Sequence, residues 1–523
     1  MKKNIKHIVY LMLENRSLDH VLGWLYDQDK PSNFIPKTNT DPYNGLNNNG
    51  PFFNPDGKGG YILASKIGLS QGQQIPAEDP HEEFQYVQRQ IAVTNCVEMG
   101  GFYQDFATTK SKNPKEIMEC YTPESLPVLN SLAKKFGVSD TYFSSIPTQT
   151  NCNRAFAATG NSIGYNYYSP HILEAWVNNS FGEVEKWALD VTFNQRTIWD
   201  VIDSDLGPDG RPRHDWKIYY NHTWPVSMWP FEYCFTQDLF WPTLGKKSKH
   251  HFQTIDTFMQ QAREGTLPEF SFIEPAWFLE EFGIGYNGND YHPPGNVGCG
   301  EQFLHKLYEA LQSNQEAWSQ TLFIINFDEH GGTYDHVTPP TKNIAPPWED
   351  LSNGTPVPQK KEKDFEFNRL GVRVPLILVS PLIEEKTLVR SQNGAPFDHT
   401  SVLATILELM EIPKEQWKLG TRTHRAATFE EAITLTPEQA RLNVQIANPI
   451  SDTCKSDKPS PPSELQWMVM HRCFARVIDH HDFPKERFRE LYEEHFQSIE
   501  HMDHMNEAAR KIMSMMEKEI KKM

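Results

Sequence analysis

The chain has 523 residues, of which 38% are hydrophobic and 23% are charged, and its formal net charge is −18 at neutral pH. This length permits a large hydrophobic core and roughly two to four domains. Because nucleic acids and anionic membranes are also negatively charged, the acidic balance argues against non-specific binding to either, and we expect no nucleic-acid partner. It does not argue against a neutral or zwitterionic lipid.

The hydrophobic runs of the chain are short. None approaches the ~18 apolar residues of a membrane-spanning helix, so no transmembrane segment is predicted. The first run, residues 8–13, is too short for the core of a secretory signal, and we interpret residues 7–13 as a core strand. We therefore expect a protein that is secreted or delivered without an ordinary signal peptide, with a cytoplasmic location as the alternative.

The cysteines are scattered along the chain, and they number seven, without a Cys-x-x-Cys pair. We interpret most of them as free, buried thiols, and the sequence leaves one or two disulfides open. The cysteines are Cys96, Cys120, Cys152, Cys234, Cys299, Cys454 and Cys473.

Predicted strands alternate with predicted helices along the chain. The strands are expected at residues 7–13, 136–143, 270–273, 321–327 and 373–380. The helices are expected at residues 125–135, 153–159, 300–312 and 399–411. Short, continuous apolar strands interleaved with helices favour an α/β fold, in which a mostly parallel central sheet is flanked by helices. Ligands of such sheets bind beyond the carboxyl ends of the strands.

Polar side chains follow two of these strands directly. The first predicted strand ends on Glu14 and Asn15, and the strand at 321–327 runs into Asp328 and Glu329. Carboxylate and amide oxygens are costly to bury without a partner, and a metal ion is one such partner. Two strand ends of this kind indicate one metal site, built from both ends of the chain.

Residues 328–336 hold the densest cluster of carboxylates and histidines. Gly331 and Gly332 interrupt the cluster and let the backbone approach a ligand closely. The cluster fits a loop wrapped around an ion. The alternative is a hydrogen-bonded turn, whose buried charges would then all need partners within the protein.

Thr150 lies in a polar turn before the predicted helix 153–159, so it is expected at or beside a helix N-terminus. Exposed N–H groups and the helix dipole favour an anion there. A free threonine hydroxyl is a poor nucleophile, but a bound metal ion would lower its pKa. The alternative is that Thr150 only caps the helix.

His81 and His292 lie in two further polar loops. Phosphoryl transfer needs an acid for the leaving oxygen and positive groups around the phosphate, and histidine can serve as either. The alternative for each of them is an ordinary surface histidine.

Residues 160–280 are rich in aromatic side chains and are interpreted as a cap inserted into a catalytic domain that spans residues 1–447. The aromatics either pack against one another or line a substrate pocket, where they could hold a choline group by cation–π contact. The tryptophans of this segment are Trp176, Trp187, Trp199, Trp216, Trp224, Trp229, Trp241 and Trp277.

Residues 448–463 are rich in proline and serine and are interpreted as a linker. Residues 464–523 are predicted to form a C-terminal helical region, because apolar residues recur in them every three or four positions. This apolar stripe is expected to pack on the main domain or to mediate self-association.

Four motifs together resemble the bacterial phospholipase C and acid phosphatase family of the alkaline-phosphatase-like superfamily. They are Glu-Asn-Arg-Ser-Leu-Asp-His at residues 14–20, Thr-Asn-Cys-Asn-Arg at 150–154, Asp-Glu-His-Gly-Gly-Thr-Tyr-Asp-His at 328–336 and Asp-His-Thr-Ser at 398–401. The motif Gly-Gly-Phe-Tyr-Gln at residues 100–104 resembles sequences of the zinc-dependent branch of this family, which hydrolyses phosphatidylcholine. Two departures are Cys152, where the family usually has proline, and Thr148, which offers a second register for the nucleophile.

The resemblance implies a role for individual residues and an alkaline-phosphatase-like fold. The implied metal ligands are Glu14, Asn15, Thr150, Asp328 and Glu329. The implied catalytic residues are Thr150 as the nucleophile and His81, His292 and His336 around the phosphate. The implied substrate-binding residues are Asn153, Arg154, His330 and Asp335.

The activity that the resemblance implies is that of a metal-dependent phospholipase C. It would cleave phospholipids such as phosphatidylcholine to diacylglycerol and a phosphorylated head group, through a phospho-threonine intermediate and in transient contact with a membrane surface. One alternative is an acid phosphatase acting on soluble phosphomonoesters, and another is a catalytically silent metal-binding or interaction protein. Zinc is the expected metal, although oxygen ligands alone would also suit Ca, Mn or Mg.

Overall fold

A computed structural model gives the fold. It describes residues 4–47, 50–69, 72–166, 169–178, 192–221, 233–277, 288–451, 454, 461–496, 499 and 501–521. The strands are β1 His7–Leu13, β2 Asn33–Ile35, β3 Phe53–Pro55, β4 Tyr61–Leu63, β5 Ser65–Ile67, β6 Glu119–Tyr121, β7 Gly137–Ser139, β8 Ile163–Asn166, β9 Ser169–Ala175, β10 Thr192–Phe193, β11 Trp216–Tyr220, β12 Phe252–Thr254, β13 Phe270–Ile273, β14 Thr321–Phe327, β15 Lys360–Lys361, β16 Leu376–Val379 and β17 Thr387–Val389.

The helices alternate with these strands. They are α1 Leu18–Leu22, α2 Phe84–Gln90, α3 Phe102–Phe106, α4 Pro127–Lys135, α5 Thr150–Thr159, α6 Ile198–Ser204, α7 Phe235–Leu239, α8 Trp241–Leu244, α9 Ile255–Glu264, α10 Val297–Ser313, α11 Gln315–Trp318, α12 His399–Leu409, α13 Lys414–Trp417, α14 Gly420–Arg425, α15 Glu464–His481, α16 Lys485–His495 and α17 Met502–Ile520. None of the described helices is both long and apolar enough to cross a bilayer.

A large central sheet organises the described chain. Its strand order is β12-β11-β13-β1-β14-β16-β7-β17-β2. All neighbours in it run parallel except β16, which is antiparallel to both β14 and β7. The predicted α/β fold with a mostly parallel sheet is therefore confirmed.

The strand β1 lies at the centre of this sheet, between β13 and β14. Its register pairs Leu13 with Phe327, so that β1 and β14 end side by side. The side chains of both strands are almost entirely buried, as the unbroken apolar runs predict. This register brings the polar residues that follow the two strands to one edge of the sheet.

Most predicted elements have the expected position, and some have different ends. The strands at 7–13, 270–273 and 321–327 match β1, β13 and β14, whereas those at 136–143 and 373–380 shorten to β7 and β16. The helix predicted from residue 153 begins at Thr150. Its first turn is polar, so the apolar periodicity could not reveal it.

The segment 160–280, predicted as a cap, divides between two sheets. β8, β9 and β10 belong to a small separate sheet with β15, whereas β11, β12 and β13 form one side of the central sheet. The cap therefore accounts for only part of the predicted range.

The tryptophans of this segment differ in burial. Trp199, Trp216 and Trp277 are fully buried and Trp176 is 5% exposed, whereas Trp241 is 44% exposed. The buried tryptophans therefore pack in the core. Trp187, Trp224 and Trp229 lie outside the described residues.

The C-terminal helices α15, α16 and α17 pack on the rest of the molecule. Arg472 of α15 donates from Nε to Asp238 Oδ2 at 2.6 Å, and Gln466 donates to the carbonyl oxygen of Trp277 at 3.2 Å. The apolar stripe is buried as part of the same core. Half of the predicted linker 448–463 lies outside the described residues.

One disulfide, between Cys299 and Cys454, joins the start of α10 to the segment that precedes α15. The other cysteines are free, and four of them are buried while Cys96 is exposed. The prediction of mostly free, buried thiols is therefore confirmed, with one of the disulfides that the sequence left open.

Candidate active site

The polar ends of β1 and β14 meet at the carboxyl edge of the sheet. The backbone N–H of Asn15 donates to Asp328 Oδ1 at 3.1 Å. Asn15 has a φ of +52°, a left-handed conformation that asparagine tolerates better than most residues. Glu14, Asn15, Asp328 and Glu329 are all fully buried. The structure thus brings together the four candidate metal ligands from the two strand ends.

Thr150 joins this group from the first turn of α5. Its hydroxyl donates to Glu14 Oε2 at 3.2 Å and lies 3.4 Å from Asn15 Oδ1. Gln149, not Thr150, occupies the N-cap position of the helix. The hydroxyl of Thr148 instead faces Asn178 at 3.4 Å. The register that places Thr150 beside the metal-ligand candidates is therefore the one present in the structure.

The burial of these carboxylates shapes their electrostatics. Burial raises the pKa of Glu14 well above its usual range, although the nearby Arg154 guanidinium opposes this, and burial also raises the pKa of Glu329. Asp328 Oδ2 and Glu329 Oε1 accept no hydrogen bond from any described residue. Such uncompensated buried oxygens fit a cation, because an unpaired buried carboxylate is otherwise very costly.

Arg154 provides a buried positive charge next to the cluster. Its Nε donates to Glu14 Oε1 at 2.8 Å, and its guanidinium also contacts that oxygen through Nη2. The carboxylate of Glu14 is thus divided, with one oxygen toward Arg154 and the other toward Thr150. Arg154 lies at the site, as predicted, but in this structure it binds a candidate ligand.

Asn153 lies in the same helix and faces away from the cluster. Its Nδ2 donates to the carbonyl oxygens of Ile146, Thr148 and Gln149. Its Oδ1 accepts from the N–H of Ile146 at 3.1 Å. These bonds hold the turn that precedes Thr150, and the implied contact between Asn153 and substrate stays a prediction.

His292 contacts the site through Asn15. Its Nε2 lies 2.9 Å from Asn15 Nδ2 and 3.4 Å from Glu82 Oε1, and its Nδ1 contacts the carbonyl oxygen of Pro293. Burial lowers the pKa of His292 to about 3. The imidazole is therefore neutral, and its N–H points to the carbonyl oxygen of Pro293. The predicted role of His292 as an acid stays a prediction.

His330 is buried beside Glu329. Its Nε2 lies 2.8 Å from Gln90 Oε1, and its Nδ1 lies 3.2 Å from Glu329 Oε2. Burial lowers the pKa of this histidine to about 3. A neutral ring has one N–H, and because the Gln90 oxygen can only accept, that N–H is on Nε2 and points to Gln90. The implied contact between His330 and substrate stays a prediction.

His81 makes its described contacts with Tyr86 and Asp105. Its ring stacks on Tyr86 with centroids 4.0 Å apart, and its Nδ1 lies 3.5 Å from Asp105 Oδ2. The next residue, Glu82, accepts from Asn15 Nδ2 at 2.7 Å. Sequence reasoning missed Glu82 because the side chains of this loop follow no regular period, and the implied role of His81 at the phosphate stays a prediction.

Asp335 and His336 belong to a separate ion-pair network. His336 Nδ1 lies 2.5 Å from Asp19 Oδ2, and Arg373 donates to Asp19 and to Asp335 at 3.0 Å each. Neither Asp335 nor His336 makes a described hydrogen bond to Thr150 or to the candidate ligands. The implied roles of Asp335 in substrate binding and of His336 at the phosphate stay predictions.

The helix α15 lies against both neighbours of Thr150. Gln149 donates to Glu464 Oε1 at 2.8 Å, and Asn151 donates to Met468 Sδ at 3.1 Å. The backbone N–H of Glu464 donates to Asp79 Oδ2 at 2.8 Å. This contact could not be predicted, since the amphipathic pattern of the helical region indicates that one face is buried but not which surface it packs against.

The oxygens of the site fit a divalent cation. The hard oxygen donors of the site are Glu14 Oε2, Asn15 Oδ1, Thr150 Oγ1 and the two unpaired carboxylate oxygens. A further cluster, formed by Asp79, Glu82 and His292, brings its possible ligand atoms within 4.8 Å of one another. The arrangement places a threonine hydroxyl beside a buried cluster of candidate metal ligands at the carboxyl edge of the sheet.

Comparisons with known proteins give a consistent result. The phosphoesterase family matches residues 5–413. Non-specific phospholipase C6 of Arabidopsis thaliana is 32% identical over 444 residues, which cover 82% of this chain and 72% of that protein. Non-specific phospholipase C1 of the same plant is 31% identical over 435 residues, covering 82% and 70%.

More distant proteins match as well. The hemolytic phospholipase C of Pseudomonas aeruginosa is 23% identical over 495 residues, which cover 90% of this chain and 60% of that protein. Among solved structures, a protein of the alkaline phosphatase superfamily from Vibrio parahaemolyticus is 10% identical, covers 69% of this chain and 83% of its own, and has a TM-score of 0.28.

Proposed function

Because the chain belongs to the phosphoesterase family and is a phosphoric ester hydrolase, we propose that it is a metal-dependent phospholipase C. Its substrates are phospholipids such as phosphatidylcholine, which it cleaves to diacylglycerol and a phosphorylated head group. The phospholipase C names of the plant and bacterial relatives support this substrate class. The observation that carries the proposal is the Thr150 hydroxyl, hydrogen-bonded to Glu14 beside unpaired buried carboxylate oxygens.

Five residues would hold the metal ion in this proposal, and zinc is the preferred candidate. When bound, the ion would lower the pKa of the Thr150 hydroxyl and polarise a phosphoryl oxygen. The oxygen donors would also accept Mn, Mg or Ca. The proposed ligands are Glu14, Asn15, Thr150, Asp328 and Glu329.

The reaction would then follow from the position of Thr150. Its Oγ1 forms a bond to phosphorus while the bond from phosphorus to the diacylglycerol oxygen breaks. The hydroxyl proton passes to Glu14 Oε2, 3.2 Å away, and the departing diacylglycerol oxygen takes up one proton from solvent, to which Glu14 returns the proton that it received. Water then cleaves the phospho-threonine and frees the phosphorylated head group. Burial of the site excludes competing water from the first step.

The nucleophile is tested with a pair of threonine variants. Thr150→Ala is expected to lower phosphatidylcholine hydrolysis by roughly 10³-fold or more, because it removes the attacking oxygen. Thr148→Ala, two residues away, is the matched control and is expected to retain most activity. Release of phosphocholine from vesicles, with metal content measured on the same samples, gives the readout. Retained activity in Thr150→Ala would overturn the assignment.

The substrate class is tested by comparing a diester with a monoester. We expect phosphatidylcholine in mixed micelles to be hydrolysed faster than p-nitrophenyl phosphate. Chelation should stop both reactions, and addition of Zn²⁺ should restore them, with Mn²⁺, Mg²⁺ and Ca²⁺ compared at equal concentration. Faster cleavage of the monoester would favour the acid phosphatase alternative, and hydrolysis that survives chelation would refute the metal requirement.

For the location of the protein, we propose an exported enzyme. The Cys299–Cys454 disulfide supports this, since such bonds persist mainly in oxidising compartments. Fractionation of the producing cells, with the oxidation state of the pair read by thiol labelling, tests it. A protein found only inside the cell with both thiols reduced would contradict the proposal.

A further inference from the structure

The side-chain amide of Asn15 is held at both of its ends. Its Oδ1 lies 3.4 Å from the Thr150 hydroxyl, whereas its Nδ2 donates to Glu82 Oε1 at 2.7 Å and lies 2.9 Å from His292 Nε2. Asn15, Glu82 and His292 are all at most 3% exposed. One face of the amide therefore meets the nucleophile and the other meets two buried acceptors.

The chemistry of the partners fixes which end of the amide faces which way. His292 Nδ1 contacts the carbonyl oxygen of Pro293, which can only accept, so the ring proton is on Nδ1 and Nε2 carries a lone pair. An ionised Glu82 also only accepts. A flipped Asn15 would set its oxygen against these acceptors and its NH₂ group against Thr150, leaving both contacts unfavourable.

We propose that Glu82 and His292 are positioning residues that lock the Asn15 amide with its oxygen toward Thr150 and the metal. This inference rests on the proposed metal-dependent function. An unlocked amide would present N–H donors to the cation for part of the time, and metal affinity would fall. Partners that orient a ligand in this way typically change metal affinity by about 10–100-fold when removed.

A second ion on Asp79, Glu82 and His292 is the competing explanation of the same cluster. It fits less well, because the N–H groups of Asn15 already occupy Glu82 Oε1 and His292 Nε2. Such an ion would be left with the second oxygen of Glu82 and with His292 Nδ1, which already contacts the carbonyl oxygen of Pro293. An amide nitrogen that donates hydrogen bonds cannot itself act as a ligand. The locking role explains the contacts of Asn15 with both Glu82 and His292 and does not require the charge of a second ion.

Affinity for Zn²⁺, measured on the full chain by competition with a chromogenic chelator, tests the lock without relying on hydrolysis. Glu82→Ala is expected to weaken binding by about 10–100-fold. Glu82→Gln is expected to stay near the parent protein, because its amide oxygen can still accept from Asn15. Glu83→Ala, in the next position and without a contact to Asn15, is the matched control and should leave affinity unchanged.

A double variant makes the test specific for the orientation of Asn15. Asn15→Asp sets a carboxylate oxygen against Glu82, and adding Glu82→Gln converts this repulsion into a hydrogen bond. We therefore expect Glu82→Gln to improve Zn²⁺ affinity at least about tenfold in the Asn15→Asp background while changing it little in the parent. Equal effects of Glu82→Gln in both backgrounds would overturn the lock.

The outcomes separate this inference from the proposed function. Thermal melting of each metal-free variant shows whether it folds. The protein could bind zinc with the expected non-additive effects of the variants on affinity and yet fail to hydrolyse phosphatidylcholine. That result would refute the proposed function and retain the lock. Hydrolysis of phosphatidylcholine together with additive effects of the Asn15 and Glu82 variants on Zn²⁺ affinity would refute only the lock. A folded parent that binds no zinc would refute the lock. A Zn²⁺:protein ratio of two in the parent that falls to one in Glu82→Ala would favour the second ion and overturn the lock as well.

Discussion

Arg154 brings a buried positive charge to a cluster of carboxylates. It is 4% exposed, pairs with Glu14, and stacks its guanidinium 5.0 Å from the centre of the Trp277 ring. Arg154→Leu keeps an apolar side chain against Trp277 but leaves the buried Glu14 without its charged partner. We expect the metal-free protein to lose about 3–5 kcal/mol of unfolding free energy in urea titration.

The control for this prediction is an exposed ion pair. Arg213 is 56% exposed in its side chain and lies 3.7 Å from Asp205. Arg213→Leu should change the unfolding free energy by less than about 1 kcal/mol, because solvent screens such pairs. Losses of similar size in both variants would contradict a special role for the buried pair.

Asp290 makes the stability of the metal-free protein depend on pH. Burial raises its pKa from 3.8 to about 7. The folded state thus holds this proton more tightly than the unfolded chain does. The resulting stabilisation is complete below pH ~4 and is lost as the pH rises from about 4 to 7. We expect Asp290→Asn to flatten this part of the stability curve.

Urea unfolding in the presence of a chelator, at several pH values between 4 and 8, measures this effect. Asp209→Asn, at an exposed position, is the control and should leave the pH dependence as in the parent. If the Asp290→Asn and parent curves ran parallel over the whole range, the raised pKa would not contribute to stability.

At the residue scale, sequence reasoning predicted which residues gather but not how each one points. Glu14, Asn15, Asp328 and Glu329 could be predicted because each directly follows a core strand whose direction is fixed. Side chains in loops have no such constraint. His81 and Glu82 are neighbours, and the one that turns inward is decided by Asn15, a residue far away in the chain.

The helix α15 is attached through a buried ion pair. Asp238 accepts from Arg472 at 2.6 Å and also contacts Arg476, and Arg472 is 2% exposed. Asp238→Asn removes the negative charge from this pair. We expect a loss of about 3–5 kcal/mol in the stability of the docked helix, seen as faster hydrogen exchange in α15 and faster proteolysis before it.

This prediction is checked by where along the chain hydrogen exchange becomes faster. The central strands β1 and β14 should exchange as slowly as in the parent, because Asp238 does not contact them through a described hydrogen bond. Uniformly faster exchange over the whole chain would indicate global destabilisation instead. Unchanged exchange in α15 would show that the apolar contacts alone hold the helix.

At the element scale, continuous apolar runs made β1, β13 and β14 predictable to the residue. The direction of β16 was not predictable, since an antiparallel strand in a mostly parallel sheet has the same apolar composition as its neighbours. The aromatic segment 160–280 was ambiguous for a related reason. Tryptophans that complete a sheet and tryptophans that line a pocket have the same composition.

The net charge of −18 should govern how the whole molecule meets a lipid surface. Repulsion from anionic head groups lowers the local concentration of the enzyme at the membrane. We expect hydrolysis of phosphatidylcholine vesicles to fall as phosphatidylglycerol is added at low ionic strength, and to recover with salt, because the Debye length shortens to about 8 Å near 0.15 M.

The effect of salt on the hydrolysis rate distinguishes repulsion by the overall net charge from binding through a local basic surface. On vesicles of phosphatidylcholine alone, salt should have little effect on the initial rate. A rate that rises with added phosphatidylglycerol at low salt would show that a local basic surface, rather than the overall charge, directs binding.

The central position of β1 has a consequence for biosynthesis. Its partners β13 and β14 follow it roughly 260–310 residues later in the chain, so β1 leaves the ribosome well before either of them. At ~5–20 residues per second, β1 waits roughly 15–60 s without a neighbour. Throughout that interval Glu14 and Asn15 lack Asp328 and Glu329, so the proposed metal ligands cannot come together on the nascent chain until β14 has emerged. If the proposed function holds, loading of the metal would therefore be a late step in biosynthesis.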